Sequence, residues 1–355
     1  MTDFIKLSKK STPLLGVDIS STSVKIVQLS ANQESFTVEN YVIRTLPTNA
    51  VVEKNISDVN AVGQCIAEAI KIMNPSIKDA AVAVAGSAVI TKTIEMNASL
   101  NDVEMENQII VEADQNIPYP LEEVSIDFER QQASATNPGM VEVLLAACRR
   151  ENVDSRVASL ELVGLKAKVV DIEAYAIERA FSLLANQLDI RAEQTVAIVD
   201  IGTAVTTLNI VRDNKILYTR EQMFGGNQLV EEVQRRLGLN VREAEAVLKR
   251  GELSAEDKSE ILEPFKESVS QQVSQILQFF FSSSQINEVD HIVLAGGVAA
   301  IEGISDLVQE SLATPATVAN PFAELEINPK INAAMIANDA PSLLIACGLA
   351  MRGLS

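Results

Sequence analysis

The sequence predicts an α/β fold of two lobes facing each other across a cleft. Three observations carry that expectation. An apolar strand ending in Val-Asp-Ile, followed by a small-residue turn and a return strand, occurs twice: LLGVDISSTSVKIVQLS from residue 14 and VAIVDIGTAVTTLNIV from residue 196. The aspartates Asp18 and Asp200 fall at the same place in both copies, which reads as an internal duplication rather than two unrelated surface turns. A third segment, HIVLAGGVAAIEGI from residue 291, runs a buried strand into paired glycines.

Composition bounds the rest. A chain of 355 residues that is 47% hydrophobic can bury cores for about two domains. Its 48 acidic against 29 basic residues leave a formal charge of −19, which repels phosphate backbones and anionic lipid alike. Nucleic acid is therefore excluded as a partner, and so is direct membrane binding. Cys65, Cys148 and Cys347 are odd in number and lie in apolar segments, as buried thiols in a reducing compartment do. The start, MTDFIKLSKK, lacks a signal-peptide core, and apolar stretches such as AAVAVAGSAVI are shorter than a bilayer span. The expectation is a cytoplasmic protein without membrane insertion.

Along the chain, the first hairpin brings Asp18 beside Ser20, Ser21, Thr22 and Ser23, with Lys25 on the return strand. A carboxylate, hydroxyls, free backbone N–H groups and a lysine on one tight turn can hold a magnesium ion and a phosphate chain. Residues 85–165 read as strands and helices between the two hairpins. GSAVITKTIEM is a strand, the segment from Leu100 is a helix stopped by Pro118 and Pro120, and SIDFERQQ and MVEVLLAACRR are strands joined by a turn. The helix ENVDSRVASLELVGL follows.

VVDIEAYAIERAFSLLANQL then gives a strand and a helix whose Ala174, Ala176 and Ala180 can cross closely with Ala346, Gly348 and Ala350 of the closing segment PSLLIACGLAMRGLS. Such a crossing is a hinge between lobes. In the second hairpin Asp200, Gly202, Thr203 and Thr206 repeat the parts of the first, with Gly202 expected at positive φ. Gly225, Gly226 and Asn227 can cap a helix with Leu229, Val233 and Leu237 on one face. Glu245 and Lys249 stand one turn apart, as an i,i+4 ion pair or as contacts to a ribose or adenine edge. Gly296 and Gly297 allow backbone to pack against a purine or ribose, before a helix carrying Glu302. His291, the single histidine, has no partners at ligand spacing and reads as structural.

Hairpin, connector, hairpin, Gly-Gly segment and closing helix, in that order, resemble the actin, sugar kinase and Hsp70 ATPase superfamily. SSTSVKIVQLS, DIEAYAIERAFSLL, GGNQLVEEVQRRLGL, AEAVLK and QILQFFFSSSQINEVDHIVLAGGVAAIEGI resemble FtsA and, more closely, the PilM family of type IV pilus assembly. AEAVLK departs from the related Ala-Glu-x-Leu-Lys by one extra residue. The resemblance implies an actin-like, Hsp70-ATPase-type two-lobed fold of duplicated RNase H-like domains with an FtsA-like inserted subdomain. Its divisions would be a first lobe of residues 1–84 with 166–190 and 341–355, an insertion at 85–165, and a second lobe at 191–340.

It further implies ATP and Mg2+ as cofactors. Asp18 and Asp200 would hold the metal through water. Ser20, Ser21, Thr22, Ser23, Lys25, Gly202, Thr203 and Thr206 would hold the phosphates, and Gly225, Gly226, Asn227, Glu245, Lys249, Gly296, Gly297 and Val298 the nucleoside side. Glu178 falls near the place of a water-orienting residue on the connecting helix, for at most a slow ATPase. The implied partner is the N-terminal cytoplasmic tail of PilN, held in a groove between first lobe and insertion and bringing the chain to the inner membrane. Other inner-membrane and motor components of the pilus machine, and self-association, belong to the same picture. The alternatives are an FtsA-like filament-forming division protein and a small-molecule kinase. The kinase needs a catalytic aspartate in a substrate loop, and no such loop stands outside the hairpins.

Overall fold

The computed structural model describes residues 12–32 and 35–354. The stretch MTDFIKLSKK and Ser355 therefore lie outside the described residues, and with them the expectation about a signal peptide. Strands β1 (Leu15–Ile19), β2 (Ser23–Ala31) and β3 (Phe36–Thr45) form an antiparallel meander. A two-residue hairpin, β4 (Val51–Val52) and β5 (Asn55–Ile56), leads to helix α1 (Val59–Met73) and strand β6 (Asp79–Val84), which runs parallel to β1.

The insertion follows as β7 (Val89–Asn97), α2 (Asp102–Asn116), β8 (Val124–Ala133) and β9 (Met140–Arg149). Its sheet, in the order β7-β9-β8, covers Met96, Val143 and Leu145 with Met105, Ile109 and Ala113 of α2. The helix starts at a capping box of Asn101 and Glu104 and stops before Pro118. Helix α3 (Arg150–Glu161), grouped with the insertion by sequence, packs instead on α1: Leu160 is buried in the first lobe's core, and a β-carbon on Gly63 would meet Leu162 at 2.8 Å.

Strand β10 (Lys166–Ile172) returns parallel to β6, and α4 (Glu173–Gln187) connects to the second lobe. There, β11 (Val196–Ile201), β12 (Thr206–Arg212) and β13 (Lys215–Gln222) repeat the meander. Helices α5 (Asn227–Leu237), α6 (Val241–Arg250), the short α7 (Ala255–Asp257) and the long α8 (Glu263–Ser283) precede β14 (His291–Ala295), α9 (Ile304–Leu312) and β15 (Ala316–Val318). β16 (Glu326–Ile327) crosses back to pair with β3, and α10 (Ala333–Asp339) and α11 (Leu344–Met351) close the chain.

The duplication is visible in the topology. The first sheet runs β10-β6-β1-β2-β3-β16 and the second β15-β14-β11-β12-β13, so each has an antiparallel meander flanked by two parallel strands. β1 is buried at all five positions, and β11 at all but Asp200, because helices cover both faces of each central strand. Helices α4 and α11 cross without side chains between them. A β-carbon on Gly348 would stand 1.8 Å from Ala176 O, and one on Gly16 of β1 2.0 Å from Ala346 O. The helical run Ala333–Met351 has the length and hydropathy to cross a membrane, longer than the sequence reading allowed, yet all eight residues of α11 are buried inside the protein. Of the three free thiols, Cys65 and Cys347 are buried and Cys148 half-buried; burial pushes Cys347 up to about 12.

Candidate functional site

Both hairpin turns close by the same bond. Ser20 N–H donates to Ser23 O at 3.0 Å, and Gly202 N–H to Val205 O at 3.0 Å. Among the described residues, the N–H groups of Ser21 and Thr22 in one turn, and of Thr203, Ala204 and Val205 in the other, meet no acceptor. The two turns touch: Thr22 Oγ1 and Thr203 Oγ1 are 2.9 Å apart. The pseudo-symmetric halves thus bring their turns together at the lobe boundary.

The charges behind the turns differ. Asp18, 4% exposed, faces Lys25 across the β1–β2 ladder and accepts from its Nζ at 2.9 Å. Burial pulls the Lys25 ammonium down, but the carboxylates of Asp18, Asp200 and Glu173 outweigh it and the net shift is upward. Asp200 faces Thr207 instead, and its carboxylate makes no hydrogen bond or ion pair among the described residues. Burial pushes its carboxyl up to about 6, against the pull of Lys25 and Lys54.

Three glycines fit the second turn into its place, each differently. Gly202 is not at positive φ, contrary to the expectation; a β-carbon there would sit 3.0 Å from Val205 O, so the constraint is space. The left-handed position belongs to Gly296, φ +86°, where a β-carbon would lie 2.3 Å from Ile201 O and 2.5 Å from Asp200 Oδ1. At Gly225 a β-carbon would meet Gly202 O at 2.5 Å. Gly226 N–H donates to Gly202 O (3.0 Å) and Asn227 N–H to Thr203 O (2.8 Å). Helix α5 has its N-cap at Gly226, within the expected capping stretch, and the first amides fasten the turn's carbonyls.

The remaining predicted residues fall at varied distances from the turns. Thr206 Oγ1 donates to Phe224 O at 2.9 Å, and the Ser20 and Ser23 hydroxyls bond each other at 3.1 Å, so these three brace backbone. Val298 lies over Gly226, with 3.3 Å between its Cγ2 and a β-carbon placed there, while the space above Gly297 is open. Glu302 sits in the turn before α9 rather than on it. Glu245 and Lys249 make no bond to each other or to any turn among the described residues. His291 Nε2 stands 2.9 Å from Thr317 Oγ1, a cross-strand contact.

Glu178 accepts from Ile216 N–H at 2.6 Å, which ties its carboxylate to β13, and burial raises its pKa. The acid in the cleft is Glu173, five positions earlier and 9% exposed. It accepts from Lys54 Nζ at 2.8 Å, and the same ammonium reaches Glu221 Oε1 at 3.0 Å and Thr207 Oγ1 at 3.2 Å. Sequence reasoning missed both residues. The available signal was DIEA, an acid starting a helix at the carboxyl end of a parallel strand, where α/β folds bind ligands. Beside these groups a small cavity is lined by Glu173, Asp200, Thr207, Asn209 and Glu221. Asn209 is fully buried, and its Nδ2 has no partner among the described residues.

Among solved structures, the chain resembles a PilM-PilN type IV pilus biogenesis complex with a TM-score of 0.80 and 24% identity, covering 97% of this chain and 99% of that one. It also resembles the ethanolamine utilization protein EutJ from Carboxydothermus hydrogenoformans, with a TM-score of 0.57, 15% identity, and coverage of 96% and 89%. These likenesses show the fold: two-lobed and actin-like, as the order of motifs implies. Residues 16–354 match the family model of the type IV pilus assembly protein PilM, and the chain belongs to that family.

Proposed function

We propose that this chain is an ATP-binding scaffold of type IV pilus assembly that grips the N-terminal cytoplasmic tail of PilN and stands at the inner membrane through that partner. The observation that carries the nucleotide half is the meeting of two turns at Thr22 and Thr203, each with unpaired N–H groups and an aspartate behind it. Unpaired main-chain donors in a tight turn suit phosphate oxygens, and Gly225 and Gly296 admit the second turn where any side chain would collide. The donors also fit magnesium. Among the described residues no cluster of three His, Cys, Asp or Glu forms a cage, and magnesium keeps several waters and is bound by one or two carboxylates plus phosphates.

Asp18 and Asp200 would hold the hydrated ion, and Lys25, Ser21, Thr22 and Thr203 the phosphates, with Gly296, Gly297 and Val298 on the nucleoside side. When bound, the ion neutralises charge on the phosphate chain. Any water-orienting role falls to Glu173 before Glu178, since Glu178 is engaged by β13.

The partner half rests on family membership, on a relative solved as a PilM-PilN complex, and on a charge of −19 that attracts basic residues of a tail. The test titrates a labelled PilN N-terminal peptide into the full chain with and without Mg-ATP, and again after removal of residues 89–149, which leaves α3 in the first lobe. Expected are binding, tightening with nucleotide, and loss without the insertion; Asp200→Ala weakens ATP at least tenfold by calorimetry. Equal binding without the insertion sinks the groove, and unchanged ATP affinity in Asp200→Ala sinks the cleft.

A further inference from the structure

Lys25 supplies an ammonium opposite Asp18, but the matching position opposite Asp200 is Thr207. The second lobe's ammonium comes from the first lobe. Lys54 sits at the tip of the β4–β5 hairpin, crosses to Thr207 and Glu221 of the second sheet, and ends on Glu173 at the start of α4. Its backbone is arranged for that reach. Glu53 and Lys54 stand at φ 48° and 63°, the geometry of a tight two-residue hairpin and a costly one for residues with β-carbons. Arg156, 1% exposed, holds the tip by donating to Lys54 O at 2.8 Å, and also to Ala83 O at 2.6 Å and Asn152 O at 2.9 Å.

We propose that Lys54 is an interlobe latch that occupies the carboxylate of Glu173, so that the cleft retains its nucleotide and hydrolyses it only when the lysine is drawn away. The proposal rests on reading the cleft as a nucleotide site. In hydrolysis, water oxygen bonds the γ-phosphorus and the β–γ bridging P–O bond breaks. Its electron pair leaves on ADP, and the water proton passes to a base. A carboxylate bonded to an ammonium is a weak acceptor for that proton, so Glu173 is silent while the latch is shut. Lys54 also spans the lobe boundary, so parting the lobes breaks its bonds to Thr207 and Glu221. Arg156 extends the effect. It grips both the latch and the end of β6, from which the insertion departs, so the latch position and the root of the insertion move together.

The test compares the full-length protein with Lys54→Met, Lys54→Arg and Lys54→Met/Glu173→Gln. In the nucleotide-free protein, hydrogen exchange at β12 and at the β4–β5 hairpin should rise at least tenfold in Lys54→Met and stay near wild type in Lys54→Arg. With ATP, single-turnover hydrolysis should be at least tenfold faster in Lys54→Met and lose that gain in the double variant. Wild-type exchange in Lys54→Met overturns the latch, and unchanged or slower hydrolysis overturns its hold on Glu173. If wild type binds no ATP, the cleft reading fails and the nucleotide-free exchange alone decides the latch. Should Lys54→Met not fold, Glu221→Gln, which removes one anchor, must still raise β12 exchange; otherwise the latch is rejected.

Discussion

At the tip of the first lobe Asp18 and Lys25 face each other on one rung of a ladder and share a 2.9 Å ion pair; at the tip of the second, Asp200 faces Thr207 and makes no such bond through its carboxylate. Backbone closure of the two turns is the same to the tenth of an ångström. Duplication has kept the main-chain cradle and separated the charges. One aspartate is half of an internal pair, and the carboxylate of the other has no ion-pair partner among the described residues.

The largest effect expected from this contrast is in paired substitutions. Asp18→Asn takes from Lys25 its bonded carboxylate, with Asp200 and Glu173 still near, and should cost up to about 3 kcal/mol in urea unfolding. Asp200→Asn in metal-free protein at pH 7 should cost nothing, since it removes a carboxylate that burial opposes. Equal losses would break the comparison. Next comes pH. Asp200 ordinarily titrates at 3.8 and in the fold at about 6, so between those values the unfolded chain has released a proton that the native protein keeps. The contribution of Asp200 to stability therefore falls as pH rises from 3.8 to about 6, by roughly 2–3 kcal/mol, and is constant above. Thermal melts of metal-free protein should lose this slope in Asp200→Asn and retain it in Asp18→Asn. The smallest effect concerns the contact between the turns. Thr22→Val or Thr203→Val should each cost about 1 kcal/mol, and the double variant no more than either, because both remove one bond.

Much of the cleft was legible because its parts are local. Val-Asp-Ile before a hydroxyl turn, and Gly-Gly after a strand, are patterns a few residues long whose chemistry does not depend on distant neighbours. Lys54 was not legible for the opposite reason: its partners Glu173 and Glu221 lie 119 and 167 positions away, and alone the run Glu53, Lys54, Asn55 is a polar turn. Glu173 hid in the same way, as an acid favoured at any helix start. The positive φ expected at Gly202 occurs at Gly296, since what the turn needs at Gly202 is room beside Val205 O and what it needs beneath it is a backbone no side chain could follow.

The return of the chain to its first sheet sets an order for synthesis. β1 is translated early, yet the surface it presents at Gly16 is covered by Ala346 and Ala350, and β3 finds its outer neighbour only at β16. The second sheet pairs its strands between Val196 and Val318 alone, but its face of Val196, Ile198, Val211 and Val293 shares a core with Phe181 and Leu184 of α4 and with Leu344 and Leu349 of α11. The strands of the second sheet can pair before α11 is made, while both sheets still expose an apolar face. Helix α11 therefore seals the core of both halves, and products truncated before it carry an unsealed core.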